Sequence, residues 1–402
     1  MISVDEARTR ILASVAPLAP VELALADAFG LALAADLASP VDLPPFTNSA
    51  MDGFAVRSEE TTSASADQPV RLTVVARLLA GDAAALVAGP ASAVRIMTGA
   101  PVPDGFDAVI PFEEAETDET GVLIIRNPVS ERRNVRPRGE DLRAGDPLVA
   151  TGESITPARI GLLAAAGITH PLVHPPPRVA ILSTGDELIP ADGAPLEPAR
   201  IHDSNGPMLE ALVGSAGGVP TGIARIGDDP AALRSRLGDI REIDLLISSG
   251  GISAGDSDHL RDLMTDLGRL DFWQVAIKPG KPLAFGRTGA IPWIALPGNP
   301  VAAAVAFWQF ARPAIRTLAG HRTIDLPEVP VRVTERIENR GGRRAFVRAT
   351  VAFTPDGAIA TPIGKGGSAM LGSLVKANAL IVVPEQTELV EPGDPLTAQL
   401  IE

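Results

Sequence analysis

The chain has 402 residues, a net charge of −14 and no cysteine. Its length allows two to four domains with buried cores, and 46% hydrophobic residues without a long apolar run are typical of a globular protein rather than a membrane-spanning one. The acidic balance disfavours a nucleic-acid surface. The lack of cysteine excludes disulfides and thiolate metal sites, so we expect a cytoplasmic protein.

The N-terminal part combines helical and β-rich patterns. Helical periodicity runs to about residue 36, and Ser3 with Glu6 forms the pattern of a capping box at its start. Short runs that are typical of strands follow, among them VRLTVVARL, DAVIPF and VLIIRN, and helical periodicity returns at about 156–166. We therefore predict interleaved helical and β-rich segments, ending at the proline-stiffened stretch HPPPR (174–178).

From Arg178 to about Gly320, short apolar runs alternate with helical stretches, which is the pattern of a parallel α/β sheet. The runs predicted as strands are RVAILS (178–183), TGIARI (221–226), DLLISS (244–249), FWQVAI (272–277) and PWIAL (292–296). The helical stretches lie at about 206–216, 230–240, 257–268 and 300–318.

After about Leu326 the helical pattern ends. The runs VPVRVTERI, AFVRATVAF, ALIVVPE and PLTAQLI are typical of strands in a small barrel or a sandwich. The predicted domains are 1–175, with a β-rich subdomain at about 51–137; 176–325, an α/β domain; and 326–402, a β domain.

Polar stretches follow the predicted strands of the central domain. They are TGDEL (184–188), GDDP (227–230), GGISAGDSD (250–258), KPGKP (278–282) and PGNP (297–300). In a parallel sheet the carboxyl ends of all strands lie along one edge, and ligands bind in the crevice outside that edge. We therefore expect these five stretches to form a single site.

Several of these residues also have a structural interpretation. A glycine-rich turn can serve backbone geometry alone. Asp258 could cap the next helix or hold a cation. Pro230 suits the first position of a helix, so one of Asp228 and Asp229 is expected to be the N-cap. Asn299 is expected to cap the helix that follows PGNP, with direct ligand contact as the alternative.

The KPGKP stretch holds Lys278 and Lys281 among residues that stiffen the backbone. Rigid cations suit a multiply charged oxyanion, and the alternative is an exposed basic turn. Carboxylates such as Glu187 on the same edge suggest a hard divalent cation, most simply Mg²⁺, unless they are only solvated loop residues. With only five histidines, an imidazole metal site has little support.

The stretch ERRNVRPRGEDLRAGD (131–146) concentrates five arginines beside Glu140 and Asp141. Such a loop is usually solvated. In an acidic chain it could also meet a phosphate or the acidic surface of another subunit.

A series of motifs, in this order along almost the whole chain, resembles the MoeA family of molybdopterin molybdenumtransferases and the related C-terminal domain of gephyrin. The motifs are PPFTNSAMDGFAV (44–56), IMTGAPVPDGFDAVI (96–110), RGED (138–141), VAILSTGDEL (179–188), DSN (203–205), SSGGISAGDSD (248–258), AIKPGKPLAFG (276–286) and LPGNPVAA (296–303).

The resemblance implies a multidomain α/β fold. It comprises an elongated α+β N-terminal region with a β-rich subdomain, a central parallel-sheet domain like that of molybdopterin adenylyltransferase, and a small C-terminal β-barrel-like domain. It also implies a homodimer, with each active cleft between the central domain of one subunit and the N-terminal region of its partner. The implied reaction inserts molybdenum from molybdate into adenylylated molybdopterin and releases AMP, with Mg²⁺ required.

The resemblance also implies functional residues. The implied catalytic residues are Asp52, Thr98, Asp141, Glu187, Asp228, Asp258, Lys278 and Lys281. The metal ligands among them are Glu187, Asp228 and Asp258. The predicted substrate-binding residues are Gly185, Ser204, Asn205, Gly250, Gly251, Ser253, Gly255, Pro297, Gly298, Asn299, Pro300, Arg348 and Ser368.

One departure from the family pattern is Gln274, which stands where the family often has a lysine. Two alternative functions are a molybdopterin adenylyltransferase, whose glycine-rich loop commonly reads GGTG where this chain has GGIS, and a non-catalytic scaffold like gephyrin. Molybdopterin adenylyltransferase and apo-molybdoenzymes are further expected partners, whereas nucleic acids and membranes are not.

Overall fold

The computed structural model describes residues 1–83, 86, 88–193, 195–227, 230–239, 241–252, 259–364 and 370–401. The chain forms two compact units. The first consists of Met1–Ala35, Thr151–Thr156 and His170–Glu402, and the second of Asp36–Ala150 and Pro157–Thr169. Within the described ranges, no helix has the length and apolar character that crossing a membrane requires.

The α-helices are α1 Val4–Leu12, α2 Pro157–Ala165, α3 Asn205–Ser215, α4 Pro230–Asp239, α5 His259–Leu267, α6 Pro300–Ala306 and α7 Arg312–Leu318. Short 3₁₀ segments lie at Leu25–Asp27, Ser58–Thr61, Phe112–Glu114 and Leu371–Ser373.

Up to residue 149 the strands are β1 Val21–Glu22, β2 Leu37–Ala38, β3 Asn48–Ser49, β4 Gly53–Val56, β5 Val70–Leu78, β6 Ser92–Ile96, β7 Ala108–Pro111, β8 Glu116–Thr117, β9 Val122–Ile125, β10 Val135–Arg136 and β11 Pro147–Val149. The next strands are β12 Leu172–Val173, β13 Arg178–Thr184, β14 Leu188–Ile189, β15 Ile201–His202, β16 Val219–Ile226, β17 Leu245–Ser249, β18 Gly268–Trp273, β19 Ile277–Lys278, β20 Ala284–Thr288 and β21 Ile291–Leu296. The last strands are β22 Glu328–Val333, β23 Ile337–Glu338, β24 Arg344–Thr354, β25 Gly357–Pro362, β26 Ala379–Val383, β27 Leu389–Val390 and β28 Pro395–Leu400.

The first helix begins where the capping pattern predicts. The hydroxyl of Ser3 accepts a hydrogen bond from the backbone N–H of Glu6 at 3.1 Å, which confirms the N-cap. The predicted extension of helical structure to about residue 36 is wrong, because α1 ends at Leu12. Pro17 and Pro20 follow closely and cannot donate the backbone hydrogen bonds that a longer helix needs.

The central sheet of the first unit has the strand order β16-β13-β17-β21-β20-β18. The first four strands are parallel, as predicted, and β20 and β18 are antiparallel. Strand β20 was not predicted. The single strand predicted at 272–277 is wrong, because β18 ends at Trp273 and Gln274 adopts a left-handed conformation with φ 69°. Ile277 and Lys278 then form the separate strand β19.

The two faces of this sheet are covered by different helices. Val179 and Ile181 of β13 pack on the face that α1, α3, α6 and α7 cover, whereas Ala180 and Leu182 pack on the opposite face with α4 and α5. This alternation follows from the two-residue period of a strand. Each aliphatic side chain that is fully buried here stabilises the fold by about 1.5–3 kcal/mol.

The predicted helix at 300–318 contains a π-helical turn, Phe307–Ala311, between α6 and α7. Pro313 has no N–H to donate to the carbonyl of Gln309, four residues earlier. The guanidinium of Arg8 supplies that hydrogen bond at 2.8 Å. The first helix of the chain thereby satisfies a backbone acceptor that the sequence of the last helix leaves open.

The C-terminal strands close into a barrel. Strand β24 pairs with β25, β25 with β22, β22 with β28, β28 with β26, and β26 again with β24. Because each of the five strands has two partners, the ring has no free edge, and the barrel rather than the sandwich is confirmed. Strand β19 of the central region adds to β24 in parallel register, so that Lys278 lies opposite Ala345.

The second unit contains a six-stranded sheet of order β7-β4-β6-β5-β9-β8. The runs VRLTVVARL, DAVIPF and VLIIRN were predicted as strands, and β5, β7 and β9 fall within them. Helix α2 matches the helical stretch predicted at about 156–166. The β-rich character of this part of the chain is therefore confirmed.

Candidate functional site

The strands β13, β17 and β21 end at one cavity of about 660 Å³, which we call the strand-end cavity. Strand order explains this position, since the three strands are parallel neighbours. The predicted site residues that line the cavity are Gly185, Glu187, Ser204, Asn205, Gly250, Gly251, Pro297, Gly298, Asn299 and Pro300.

The glycine after β17 is required by its surroundings. Gly250 has φ 98°, and a Cβ at this position would lie 2.4 Å from the carbonyl oxygen of Thr184. Only glycine accepts both this conformation and this approach. The next residue, Gly251, also has a positive φ of 59°. Both glycines line the strand-end cavity.

Asn205, the first residue of α3, connects three segments that line the cavity. Its Nδ2 donates to the hydroxyl of Ser249 at 2.8 Å and to the carbonyl of Gly298 at 2.7 Å. Ser249 in turn donates to the carbonyl of Pro297 at 3.0 Å. Asn205 is 9% exposed, so these bonds hold the ends of β17 and β21 against the start of α3 in a largely water-free environment.

Asp203, which belongs to the DSN motif, lines the same cavity with a buried side chain. One carboxylate oxygen accepts from the backbone N–H of Gly206 at 2.9 Å and caps α3. The other accepts from the guanidinium of Arg225, also at 2.9 Å. Both oxygens are thus used within the protein, which makes Asp203 a structural residue of the cavity wall.

Glu187 lines the strand-end cavity with an exposed carboxylate. Asp228, Asp258, Ser253 and Gly255 lie outside the described residues. Within the part of the chain that is described, no three His, Asp or Glu side chains are grouped so that they could hold a metal ion. The three-carboxylate metal site therefore stays a prediction.

Pro230 and Asn299 were each predicted to lie at the start of a helix, and the observed helices test both predictions. Helix α4 begins at Pro230, as predicted. Asn299 occupies the N-cap position of α6, but its side chain does not make the capping hydrogen bond. Asn299 also lines the strand-end cavity.

The KPGKP turn does not follow a parallel strand of the central sheet, contrary to the sequence prediction. It follows β19, which pairs with the barrel strand β24. Lys278 and Lys281 line a second cavity of about 1030 Å³ between this turn and the barrel, which we call the cationic cavity. Five cationic side chains and two carboxylates line it: Lys278, Lys281, Arg336, Arg343 and Arg348, with Glu335 and Glu338.

The two cavities adjoin. Pro282, Pro297 and Asn299 line both of them. The lysine turn therefore lies beside the ends of the parallel strands, although the strand that precedes it, β19, belongs to the sheet of the barrel.

Arg348 lines the cationic cavity from β24. Its guanidinium donates to the hydroxyl of Ser373, and that hydroxyl donates to the carbonyl of Met370 at 2.5 Å. Burial lowers the pKa of Arg348 from its usual value. Ser368, predicted to act with Arg348, lies outside the described residues.

In the second unit, Asp52 and Thr98 are brought together across 46 residues of sequence. One carboxylate oxygen of Asp52 accepts from both the backbone N–H and the hydroxyl of Thr98, each at 2.7 Å. The backbone hydrogen bond from Thr98, followed by the hydroxyl, lowers the pKa of Asp52. The carboxylate is therefore ionised and fixed in orientation while exposed to solvent.

Asp141, also in the second unit, is exposed in a turn whose backbone N–H donates to Leu43 at 3.0 Å. Two arginines of the stretch 131–146 form ion pairs within the second unit. Arg133 pairs with Glu114 at 2.6 Å, and Arg138 pairs with Asp42 at 2.5 Å. These two arginines therefore have intramolecular partners.

Sequence reasoning did not single out several residues that line or support the cavities: Ser183, Asp203, Ser249, Arg343 and Ser373. Their residue types are common in any protein, and all but Arg343 and Ser373 lie inside quoted motifs or predicted strands. Their spatial neighbours decide their roles, and those neighbours are far away in sequence.

Comparison with known proteins matches three family models along the chain. Residues 2–167 match the MoeA N-terminal region (domain I and II), 180–317 a probable molybdopterin binding domain, and 330–401 the MoeA C-terminal region (domain IV). A molybdopterin molybdenumtransferase 2 of Mycobacterium tuberculosis is 37% identical over 98% of both chains.

Further relatives agree. A molybdopterin molybdenumtransferase of Haemophilus influenzae is 33% identical over 99% of this chain and 98% of its own. The crystal structure of a molybdopterin biosynthesis MoeA protein from Pyrococcus horikoshii is 28% identical, covers 100% of both chains and has a TM-score of 0.85.

The fold and the two adjoining cavities thus belong to a transferase of molybdenum cofactor biosynthesis. The chain is a member of the MoeA family, the molybdopterin molybdenumtransferases. This membership confirms the resemblance noted from the motifs, and it identifies an enzyme rather than a non-catalytic scaffold.

Proposed function

We propose that this enzyme inserts molybdenum from molybdate into adenylylated molybdopterin and releases AMP, and that the reaction requires Mg²⁺. The observation that carries the proposal is the contact between two chemically different cavities, which share Pro282, Pro297 and Asn299. One substrate spanning this boundary could keep its phosphates in the strand-end cavity and present its dithiolene to an oxyanion in the cationic cavity.

The strand-end cavity is suited to phosphate groups. Ser204 and Asn205, at the start of the eleven-residue helix α3, line this cavity. Asp203 already accepts the N–H of Gly206 there, so only the remaining N–H groups of the first turn can favour an anion. Gly250 and Gly251 line the same cavity and carry no side chain that could hinder a ligand. These features support binding of the adenylyl and phosphate parts of the substrate here.

Glu187, Asp228 and Asp258 are the proposed Mg²⁺ ligands. Exposed carboxylate oxygen, as Glu187 presents it, is the donor type that Mg²⁺ prefers. Asp203 is a poor candidate because both of its oxygens are bonded within the protein. When bound, Mg²⁺ would supply positive charge to the phosphates.

Lys278, Lys281, Arg348 and Ser368 are the proposed molybdate ligands. Ammonium and guanidinium groups in a confined cavity favour a tetrahedral dianion, and the hydroxyl can donate one more hydrogen bond. The second unit contributes Asp52, Thr98 and Asp141 to the proposed catalytic set. Their part in the reaction rests on the family motifs.

The proposed test follows AMP release and molybdenum retention from adenylylated molybdopterin, with Mg²⁺ and varied molybdate but without ATP. Lys278→Ala should raise the molybdate concentration needed for half-maximal rate about tenfold or more, because one charge-assisted contact is lost. Lys376→Ala is the matched control, since Lys376 is exposed and lines neither cavity.

Unchanged molybdate dependence in Lys278→Ala would reject the molybdate assignment. Failure of the wild-type protein to release AMP without ATP would reject the reaction itself. Consumption of ATP to form the adenylylated intermediate would instead favour the adenylyltransferase alternative.

The proposal includes a homodimer in which the N-terminal region of one subunit completes the cleft of the other. It also includes an adenylyltransferase as the source of the substrate and apo-molybdoenzymes as recipients of the product. Family membership supports these partners. A monomeric mass in solution at working concentration would contradict the dimer.

A further inference from the structure

The cations of the cationic cavity differ in how they are bonded. Arg348 donates to Ser373, and Arg336 lies 3.5 Å from the carboxylate of Glu338. Lys278, Lys281 and Arg343 also line the cavity, and they have no side-chain hydrogen bond or ion pair with any residue that the structure describes. These three side chains therefore remain available for a ligand, and Arg343 is the one that the family motifs did not point to.

The backbone around Arg343 is anchored while its side chain is not. The amide of Asn339, a fully buried residue, donates to the carbonyl of Arg343 at 2.9 Å. The next residue, Arg344, binds both Asp5 and Glu385 through its guanidinium. Arg343 is thus held between two fixed points, which limits where its own guanidinium can reach.

Strand pairing brings Arg343 beside the lysine turn. The backbone N–H of Arg344 donates to the carbonyl of Ala276 at 3.0 Å, and Lys278 pairs with Ala345. Arg343 directly precedes this pairing and lies two residues before Ala345. Both Arg343 and Lys278 line the cationic cavity, so this pairing brings the arginine and the lysine turn to one site.

The two lysines and Arg343 bind an anion in different ways that can be combined. Lysine ammonium groups act as point charges, whereas a guanidinium presents a planar fork that binds two oxygens of one anion. Arg343 is half-buried, and a cation that is partly removed from water is stabilised by an anionic partner. A tetrahedral dianion has enough oxygens to accept hydrogen bonds from all three groups.

We propose that Arg343 binds the tetrahedral dianion in the cationic cavity together with Lys278 and Lys281, as a fork-type ligand. This rests on the proposed function, which assigns an oxyanion to this cavity. The dianion is either free molybdate or the phosphate group that the pterin substrate carries. Both offer the same arrangement of oxygens, so binding measurements with each anion must separate them.

The experiment is calorimetric titration of molybdate, and separately of inorganic phosphate, into the full-length protein and its variants. Arg343→Ala should weaken binding of the cognate anion about 10- to 100-fold, which corresponds to losing hydrogen bonds to a charged group. Arg343→Lys keeps the positive charge but loses the planar guanidinium. Its affinity for the anion should therefore lie between those of the wild type and Arg343→Ala. Thermal unfolding of each variant checks that the fold is intact.

Arg340→Ala is the matched control on the same loop. Its side chain is 82% exposed, lies 3.5 Å from Glu338 and does not line the cavity. Binding in this variant should stay within about twofold of wild type.

Each outcome has a distinct meaning. Weakening confined to molybdate supports Arg343 as a ligand of the metal oxyanion, and weakening confined to phosphate supports it as a ligand of the pterin phosphate. Wild-type affinity for both anions in Arg343→Ala, with loss in Lys278→Ala, overturns the role of Arg343 but leaves the proposed function intact. If the wild-type protein binds neither anion, the oxyanion assignment of the cavity fails, and the role of Arg343 fails with it.

Discussion

Replacing Asn205 by alanine removes the side chain that connects three segments of the strand-end cavity. Two buried hydrogen bonds are lost, to Ser249 at 2.8 Å and to Gly298 at 2.7 Å. A neutral hydrogen bond contributes about 0.5–1.5 kcal/mol, so the free energy of unfolding should fall by about 1–3 kcal/mol. Ser249→Ala loses the shared bond and the bond to Pro297, with a loss of similar size.

Because the two variants lose one bond in common, the double variant should be less destabilised than the sum of the single ones. The difference should be about 0.5–1.5 kcal/mol. Urea unfolding followed by tryptophan fluorescence measures it, since Trp273, Trp293 and Trp308 all lie in the first unit.

Ser215→Ala is the control for the Asn205 and Ser249 variants. Ser215 lies at the other end of α3, and its exposed hydroxyl donates only to Leu212. Strict additivity of the Asn205 and Ser249 losses, or a loss below about 0.5 kcal/mol for Asn205→Ala, would refute the role of this network.

Two further predictions concern packing and pH. Gly53→Ala should destabilise the second unit by at least about 1–3 kcal/mol in thermal unfolding, because its Cβ would lie 1.9 Å from the carbonyl oxygen of Ile110. Gly161→Ala, in open space on α2, should instead stabilise by about 0.5–1 kcal/mol, and equal effects of the two changes would contradict the steric argument. Burial, with the charge of Arg316, lowers the pKa of His321 from 6.5 to about 4. The folded state therefore favours neutral His321, and stability is lost as pH falls from 6.5 towards 4. Between pH 7.5 and 5.5 the wild type should lose about 1.4 kcal/mol more than His321→Asn in urea unfolding, and parallel losses would show that His321 is not involved.

Local sequence patterns predicted the structure correctly where it depends on residues that are close together in the chain. The cap at Ser3, the start of α4 at Pro230 and the parallel strands β13, β17 and β21 follow from short stretches of sequence. The position of the strand-end cavity was predictable for the same reason, since parallel strands bring their carboxyl ends to one edge.

The predictions that failed depend on distant partners. The run FWQVAI has a uniform strand pattern, yet Gln274 interrupts it and β19 pairs with the barrel instead. No local sequence feature shows that Phe272 and Trp273 pair within the central sheet whereas Ile277 and Lys278 pair with the barrel. Closure of the barrel likewise depends on contacts between β22 and β25 and between β24 and β26, which short-range periodicity does not contain.

By itself, the sequence determined which residue types stand at each strand end and which family the motifs belong to, because both depend only on residues close together in the chain. The tertiary structure alone decided that Lys278 lies beside the barrel, that Arg343 enters the same cavity, and that Asp203 is committed to Arg225. The physical reason is that hydrogen-bond partners and burial are set by which elements pack together, and these elements come from distant parts of the chain.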